Sequence, residues 1–315
     1  MYPLRLHRVC VPKPWAGDRL HKLFPDQAAD VPVGTGEWIE LDGNSIVANG
    51  DWKDESLPHL LRTRRQALIG ALPPGPGDFP VCVKLLDSAS PLSIQVHPSD
   101  RRESGSLVAR GKCECWLVLD AARDAVIWQG LKAGVTPAQF KSALAGGDPA
   151  AMLNPRAVKP GDFLYNPAGM IHAIGGGLAL LEVQQNCAVT YRLWDFPGSG
   201  KREMHIEQGL RAAKFDLPLP PVLPTHGNDV TLVRDGPFGV RSLRLASAMH
   251  EARDWPGFTV HTCLQGECEI TGRGQDQLQP AILKPGETVL WPAVFDQFEY
   301  YPRGECWLIA CWANQ

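Results

Sequence analysis

Several short, mostly apolar runs of this 315-residue chain place polar side chains two residues apart. In Leu92-Ser93-Ile94-Gln95-Val96-His97 a strand's side-chain period puts Ser93, Gln95 and His97 on one face and Ile94 and Val96 on the other. Such a row suits a barrel interior that grips a cation, and equally the wet face of an edge strand. In Lys112-Cys113-Glu114-Cys115-Trp116 the same period sends Lys112, Glu114 and Trp116 one way and both cysteines the other, so the thiols do not chelate with Glu114. With His172 further along the chain, two imidazoles, one carboxylate and the Gln95 carbonyl make a mixed nitrogen and oxygen set that suits zinc and also iron, manganese or cobalt. A set this small leaves a position open for water or substrate, as catalytic sites do. Further along, Glu182 shares a face with Gln184, and Thr190, Arg192 and Trp194 share another. The two runs read as adjacent strands joined by 185–189, with a Glu182–Arg192 ion pair as the plain structural account. Lys84 sits in the apolar run 81–86, either at an edge or aimed into a polar cavity.

These residues need many short strands to bring them together. Gly (31) and Pro (28) punctuate runs rich in Val, Leu, Ile and Trp, as in barrels and sandwiches. Strands are predicted at 81–86, 92–96, 114–119, 125–128, 162–166, 178–184 and 190–194. Helices are predicted at 56–68, closed by Gly70, and at 136–146, opened by Thr136-Pro137, with a shorter one from Asp148-Pro149. An internal repeat organises the chain. Lys159-Pro160-Gly161-Asp162-Phe163-Leu164-Tyr165-Asn166-Pro167-Ala168 aligns without a gap on Lys284-Pro285-Gly286-Glu287-Thr288-Val289-Leu290-Trp291-Pro292-Ala293, sharing the Lys-Pro-Gly turn and the closing Pro and Ala. The first copy continues as Gly161-x5-Pro167-x-Gly169-x2-His172, which resembles the second signature motif of the cupin superfamily. In the second copy Val294 and Gln297 replace the glycine and the histidine. The expectation is a mainly β protein of two tandem cupin (jelly-roll) barrels with a few short helices. A Pro-rich stretch at 214–224 serves as linker, dividing a catalytic barrel with helical insertions (1–220) from a degenerate barrel (221–315).

Composition narrows the partners. An apolar fraction of 44% with 21% charged residues is that of a globular protein. With 31 basic and 34 acidic residues the net charge is -3, so no basic footprint for nucleic acid is present and a small solute is the expected partner. No segment approaches a membrane span, and the N-terminal region lacks a signal-peptide pattern. Nine scattered cysteines, an odd number, suit reduced thiols in the cytoplasm. Oligomeric state is not encoded in any visible pattern.

Together the segments resemble the type I mannose-6-phosphate isomerases, in their short bacterial form. The matching stretches are Lys13-Pro14-Trp15-Ala16-Gly17, Phe79 to Asp87, Leu92-Ser93-Ile94-Gln95-Val96-His97-Pro98, Gly111 to Trp116, Gly161 to Ala173, and Glu182 to Asp195. Similarity covers about residues 10 to 215. The chain departs from the family at Ala16, where a second glycine is usual, at Gly36-Glu37-Trp38, which lacks a Ser, and at Ala188 and Ile174. The resemblance implies one zinc ion on Gln95, His97, Glu114 and His172, and Arg192 as the active-site arginine. It implies interconversion of mannose 6-phosphate and fructose 6-phosphate through an enediolate. That chemistry needs a proton-transferring group and a positive partner for the developing charge. Glu182 is the candidate for proton transfer, with Lys112 as its rival, and Lys84 and Ser93 are candidates for holding the sugar phosphate. Two other readings keep the cupin and change the outcome: an iron-dependent dioxygenase, and a non-catalytic sugar-binding cupin.

Overall fold

The structure, a computed structural model, describes residues 1–73, 75–76, 78–197, 202–274 and 277–314. Its strands form two jelly-roll sandwiches of antiparallel sheets. The first pairs a large sheet, in the order Val9–Pro12, Thr35–Leu41, Val81–Ser88, Leu178–Gln185, Glu114–Ala121, Asp162–Asn166 and Leu223–Pro224, with a smaller one, in the order Tyr191–Trp194, Ile94–Val96, His172–Ile174, Val126–Leu131 and Leu153–Ala157. The second pairs Asp229–Val233, Phe238–Leu245, Cys306–Ala313, Thr259–Gln265 and Thr288–Trp291 with Met249–Ala252, Phe295–Pro302, Cys268–Gly274 and Gln277–Leu283. The repeat read from sequence is therefore a repeat of topology. In each half the strand after the Lys-Pro-Gly turn borders the same neighbour in the large sheet.

Both faces of the first large sheet are covered, which is why its strands show little polar alternation. Val83, Leu85, Leu117, Leu181 and Val183 pack in one cluster with Val240, Val260, Ile309 and Cys311 of the second half. Leu86, Trp116, Val118 and Leu180 point the other way, into the first barrel. The rings of Phe79 and Phe258 lie 4.5 Å apart in the layer between the halves. The Pro-rich stretch runs along the first barrel, where Leu223–Pro224 pairs with Asp162–Phe163 and supplies an outer strand.

The helices follow their caps. Ser56 Oγ accepts from the His59 N–H at the start of Leu57–Ile69, which buries Leu57, Leu60, Leu61, Leu68 and Ile69 and stops at Gly70 with φ 65°. Thr136 and Gln139 form a reciprocal capping box at Pro137–Gly146. Among the described residues no helix is long and apolar enough to cross a membrane.

The second barrel is filled rather than hollow. Trp291, which the repeat aligns with Asn166, packs with Phe295, Phe298 and Tyr300 in its interior. His261 is buried there, with Nε2 3.0 Å from the Tyr300 hydroxyl, which itself donates to Glu251 at 2.6 Å. Burial, reinforced by Arg241, lowers the His261 pKa to about 3. The unfolded chain takes up this proton near pH 6.5 and the folded chain does not, so stability present above that pH is lost as pH falls from about 6.5 towards 3. The slope from this one group approaches about 1.4 kcal/mol per pH unit. Denaturant titrations from pH 7 to 4 are expected to show a shallower decline for His261→Leu than for the parent chain; equal slopes would refute this contribution.

Candidate metal centre

Three side chains converge between the two sheets of the first barrel. His97 follows the strand Ile94–Val96, Glu114 opens Glu114–Ala121, and His172 opens His172–Ile174. Glu114 Oε1 is 3.0 Å from His172 Nε2, and Oε2 is 3.4 Å from His97 Nε2. All three are buried, at 2%, 0% and 1% exposure for His97, Glu114 and His172. Each ring is turned by a backbone carbonyl: His97 Nδ1 lies 3.1 Å from Val189 O, and His172 Nδ1 lies 2.9 Å from Met170 O. With Nδ1–H donating, Nε2 presents its lone pair towards Glu114. Gly169 gives the signature turn its physical reason. It adopts φ 91°, and its N–H donates to His97 O at 2.9 Å, tying the turn to the strand that ends in the other imidazole.

Gln95 stands opposite His172 in the sheet, and its Nε2 is 3.3 Å from His172 Nε2. A half-turn of the amide would bring the carbonyl oxygen to the same place. Lys112 is buried with Nζ 2.9 Å from Glu114 Oε2 and 3.3 Å from His97 Nε2. Burial opposes the charge of Glu114, yet Lys112, then His97 and His172, outweigh it and hold the carboxyl well below its usual range. For Lys112 burial is likewise outweighed, by Glu114 and then Glu182, so its pKa is raised. Burial first, and Lys112 second, lower His97 to about 4, leaving a neutral ring at ordinary pH.

The residues fit an ion. Neither buried Glu114 oxygen has an aligned hydrogen bond, although Lys112 Nζ lies 2.9 Å from Oε2, and the nearby acceptors Gln184 Oε1 and Gln129 Oε1 are also without one. Gln184 and Asn166 flank Glu114 in register, and Gln129 flanks His172. These acceptors lie beside two imidazoles and a carboxylate whose separations of 3.0 and 3.4 Å match ligands sharing an ion at bonds of about 2.0–2.2 Å.

The remaining candidates form two groups beside this cluster. Lys84 Nζ lies 3.6 Å from both Glu182 Oε1 and Glu37 Oε2, and Glu37 also pairs with Lys13 at 2.9 Å. Trp116 Nε1 donates to Glu182 Oε2 at 2.9 Å. Burial opposes the Lys84 ammonium, but Glu182 leads a set of groups that raise its pKa. Arg192 stands opposite Gln95; its Nε donates to Ser93 Oγ at 3.1 Å, and the Ser93 hydroxyl donates to Asp195 at 2.7 Å. Glu182 and Arg192 therefore do not form a cross-strand pair: their strands belong to different sheets, and the partner of Glu182 is Lys84. The sequence reading passed over Glu37, Asp195, Gln129 and Asn166. Asn166 carried a signal, as the position where the repeat changes from Asn to Trp, and Glu37 and Asp195 lay in stretches compared with the family.

By register, the second barrel has Arg241 at the position of Lys84, Thr259 at that of Glu114, Ala310 at that of Glu182 and Ala252 at that of Gln95. The cation remains, but the carboxylate, amide and histidine positions have been lost. Fold and cluster together define a tandem cupin with a candidate metal site in its first barrel alone, among the described residues.

No family model matches the chain. It is 31% identical to the mannose-6-phosphate isomerase of Streptococcus mutans, over 99% of each protein, and 33% identical to that of Bacillus subtilis, over 84% of each. The crystal structure of mannose 6-phosphate isomerase from Bacillus subtilis superimposes with a TM-score of 0.79 over 99% of both chains at 28% identity. The chain belongs to the mannose-6-phosphate isomerase family.

Proposed function

We propose that the chain interconverts mannose 6-phosphate and fructose 6-phosphate, using one zinc ion held by Gln95, His97, Glu114 and His172. The observation that supports this best is the fully buried Glu114 carboxylate between two imidazoles, within reach of both Nε2 atoms, in a chain of this family. Zinc in that place supplies positive charge that favours ionised oxygens near it.

The side chains supply the rest. Glu182, fixed by Trp116 and Lys84, removes the proton from C2 of the open-chain aldose, giving an enediolate, and returns it to C1, while the hydroxyl proton of O2 passes to O1. Lys112 remains the rival for that transfer. Arg192 stabilises the negative charge on the enediolate oxygens. Ser93 sets the Arg192 guanidinium from one side. Lys84, engaged by two carboxylates, is better suited to orienting Glu182 than to taking the phosphate. The division near residue 220 then separates a catalytic barrel from one that supports it without a site of its own. Family membership favours isomerisation over oxygen chemistry and over passive sugar binding.

A coupled assay of metal-analysed protein tests the reading. Mannose 6-phosphate is expected to be converted to fructose 6-phosphate, with activity lost to a chelator and restored by zinc. Binding of the sugar without exchange of its C2 proton would overturn the proposal, as would oxygen consumption without isomerisation.

A further inference from the structure

The segments that deliver His97 and Glu114 are fastened to each other by a carboxylate with no part in the ligand set or the reaction. Asp100 comes three residues after His97, and its side chain is 29% exposed, so it resembles an ordinary surface acid. Its Oδ1 nonetheless accepts two hydrogen bonds, from the Gly111 N–H at 2.7 Å and from Gln185 Nε2 at 2.9 Å. Gln185 in turn accepts from the Cys113 N–H at 2.9 Å, and the Lys112 N–H donates to Pro98 O at 3.0 Å. A side chain at Gly111 would lie 2.5 Å from Asp100 N and 2.6 Å from Pro98 O, which shows how closely the two segments approach. One oxygen atom thus joins the segment after His97, the segment before Glu114, and the end of the strand that holds Glu182.

The other oxygen, Oδ2, meets the Arg102 guanidinium at 3.9 Å with both groups partly exposed, a pairing of little energetic weight. We infer that Asp100 is a positioning residue for the metal centre, acting through the hydrogen bonds accepted by Oδ1, which fix His97 relative to Glu114. The inference rests on the metal reading given above. Ligands bonded at about 2 Å tolerate little displacement, and groups acting on a ligand from outside typically change metal affinity by about 10–100-fold. Asp100 acts through backbone segments, which places it at the lower end.

Zinc affinity, measured by competition with a fluorescent chelator, tests the inference without recourse to activity. Asp100→Ala is expected to bind zinc about tenfold more weakly than the parent chain. Asp100→Asn retains an acceptor oxygen without the charge and is expected to stay within about threefold. The metal-free melting temperature of the Ala variant is expected to fall by several degrees, because the buried Gly111 and Gln185 donors lose their acceptor, and affinities are compared below that melting range. Parental zinc affinity in Asp100→Ala would overturn the inference, as would an Asn variant as weak as the Ala variant. Should the parent chain itself show no zinc binding that depends on Glu114, the ligand set fails and this inference with it, a result distinct from the other two.

Discussion

Glu114→Gln is expected to leave a folded protein that neither retains zinc nor isomerises mannose 6-phosphate at more than a trace of the parental rate. The substitution keeps the size of the side chain and removes the charge that two imidazoles and Lys112 surround. An ion contributes several kcal/mol of charge stabilisation, so its loss should lower turnover by roughly 10³-fold or more. The same change strands the buried Lys112 ammonium beside a neutral amide, and breaking a buried pair in this way costs about 3–5 kcal/mol. The metal-free variant should therefore also melt below the metal-free parent. Zinc content by elemental analysis, turnover, and the melting curve check the three parts separately. Full zinc occupancy in the variant would remove Glu114 from the ligand set.

Arg192→Gln is expected to separate charge stabilisation from metal binding. The guanidinium is held by Ser93 and by the carbonyl of Glu203, so the arginine is oriented before substrate arrives. Burial is the main cause lowering its pKa, and Arg202 adds to the shift, but a guanidinium still stays protonated throughout the working range. Removing one preorganised donor from a developing oxyanion lowers turnover by about 10²–10³-fold. Zinc content should remain that of the parent, because the Arg192 side chain bonds to Ser93 and Glu203 rather than to a proposed ligand. Parental turnover in this variant would exclude Arg192 from the reaction.

Part of the first barrel's site was legible because polar and apolar residues alternate over the short stretches 92–97 and 112–115. Ser93, Gln95 and His97, and then Lys112, Glu114 and Trp116, could be assigned to shared faces from the side-chain period alone. The repeat was legible because Lys-Pro-Gly turns have few backbone solutions, and both copies do adopt φ above 80° at Gly161 and Gly286. Less could be read where packing overrides local pattern. The strands Leu178–Gln185 and Tyr191–Trp194 follow one another closely, and neighbours in sequence usually pair. A jelly roll instead sends them to opposite sheets, so that Glu182 meets Lys84 while Arg192 meets Ser93. Glu37 illustrates a second limit: its strand lies beside Val81–Ser88, and only that pairing brings its carboxylate to Lys84. The strand His172–Ile174, three residues long, is too short for any periodic signal.

The most direct measurement is anomalous diffraction at the zinc edge from crystals grown with zinc. One strong peak is predicted inside the first barrel, within about 2.0–2.2 Å of His97 Nε2, His172 Nε2 and a Glu114 oxygen. A peak elsewhere, or density with either imidazole rotated away from Glu114, would contradict the account.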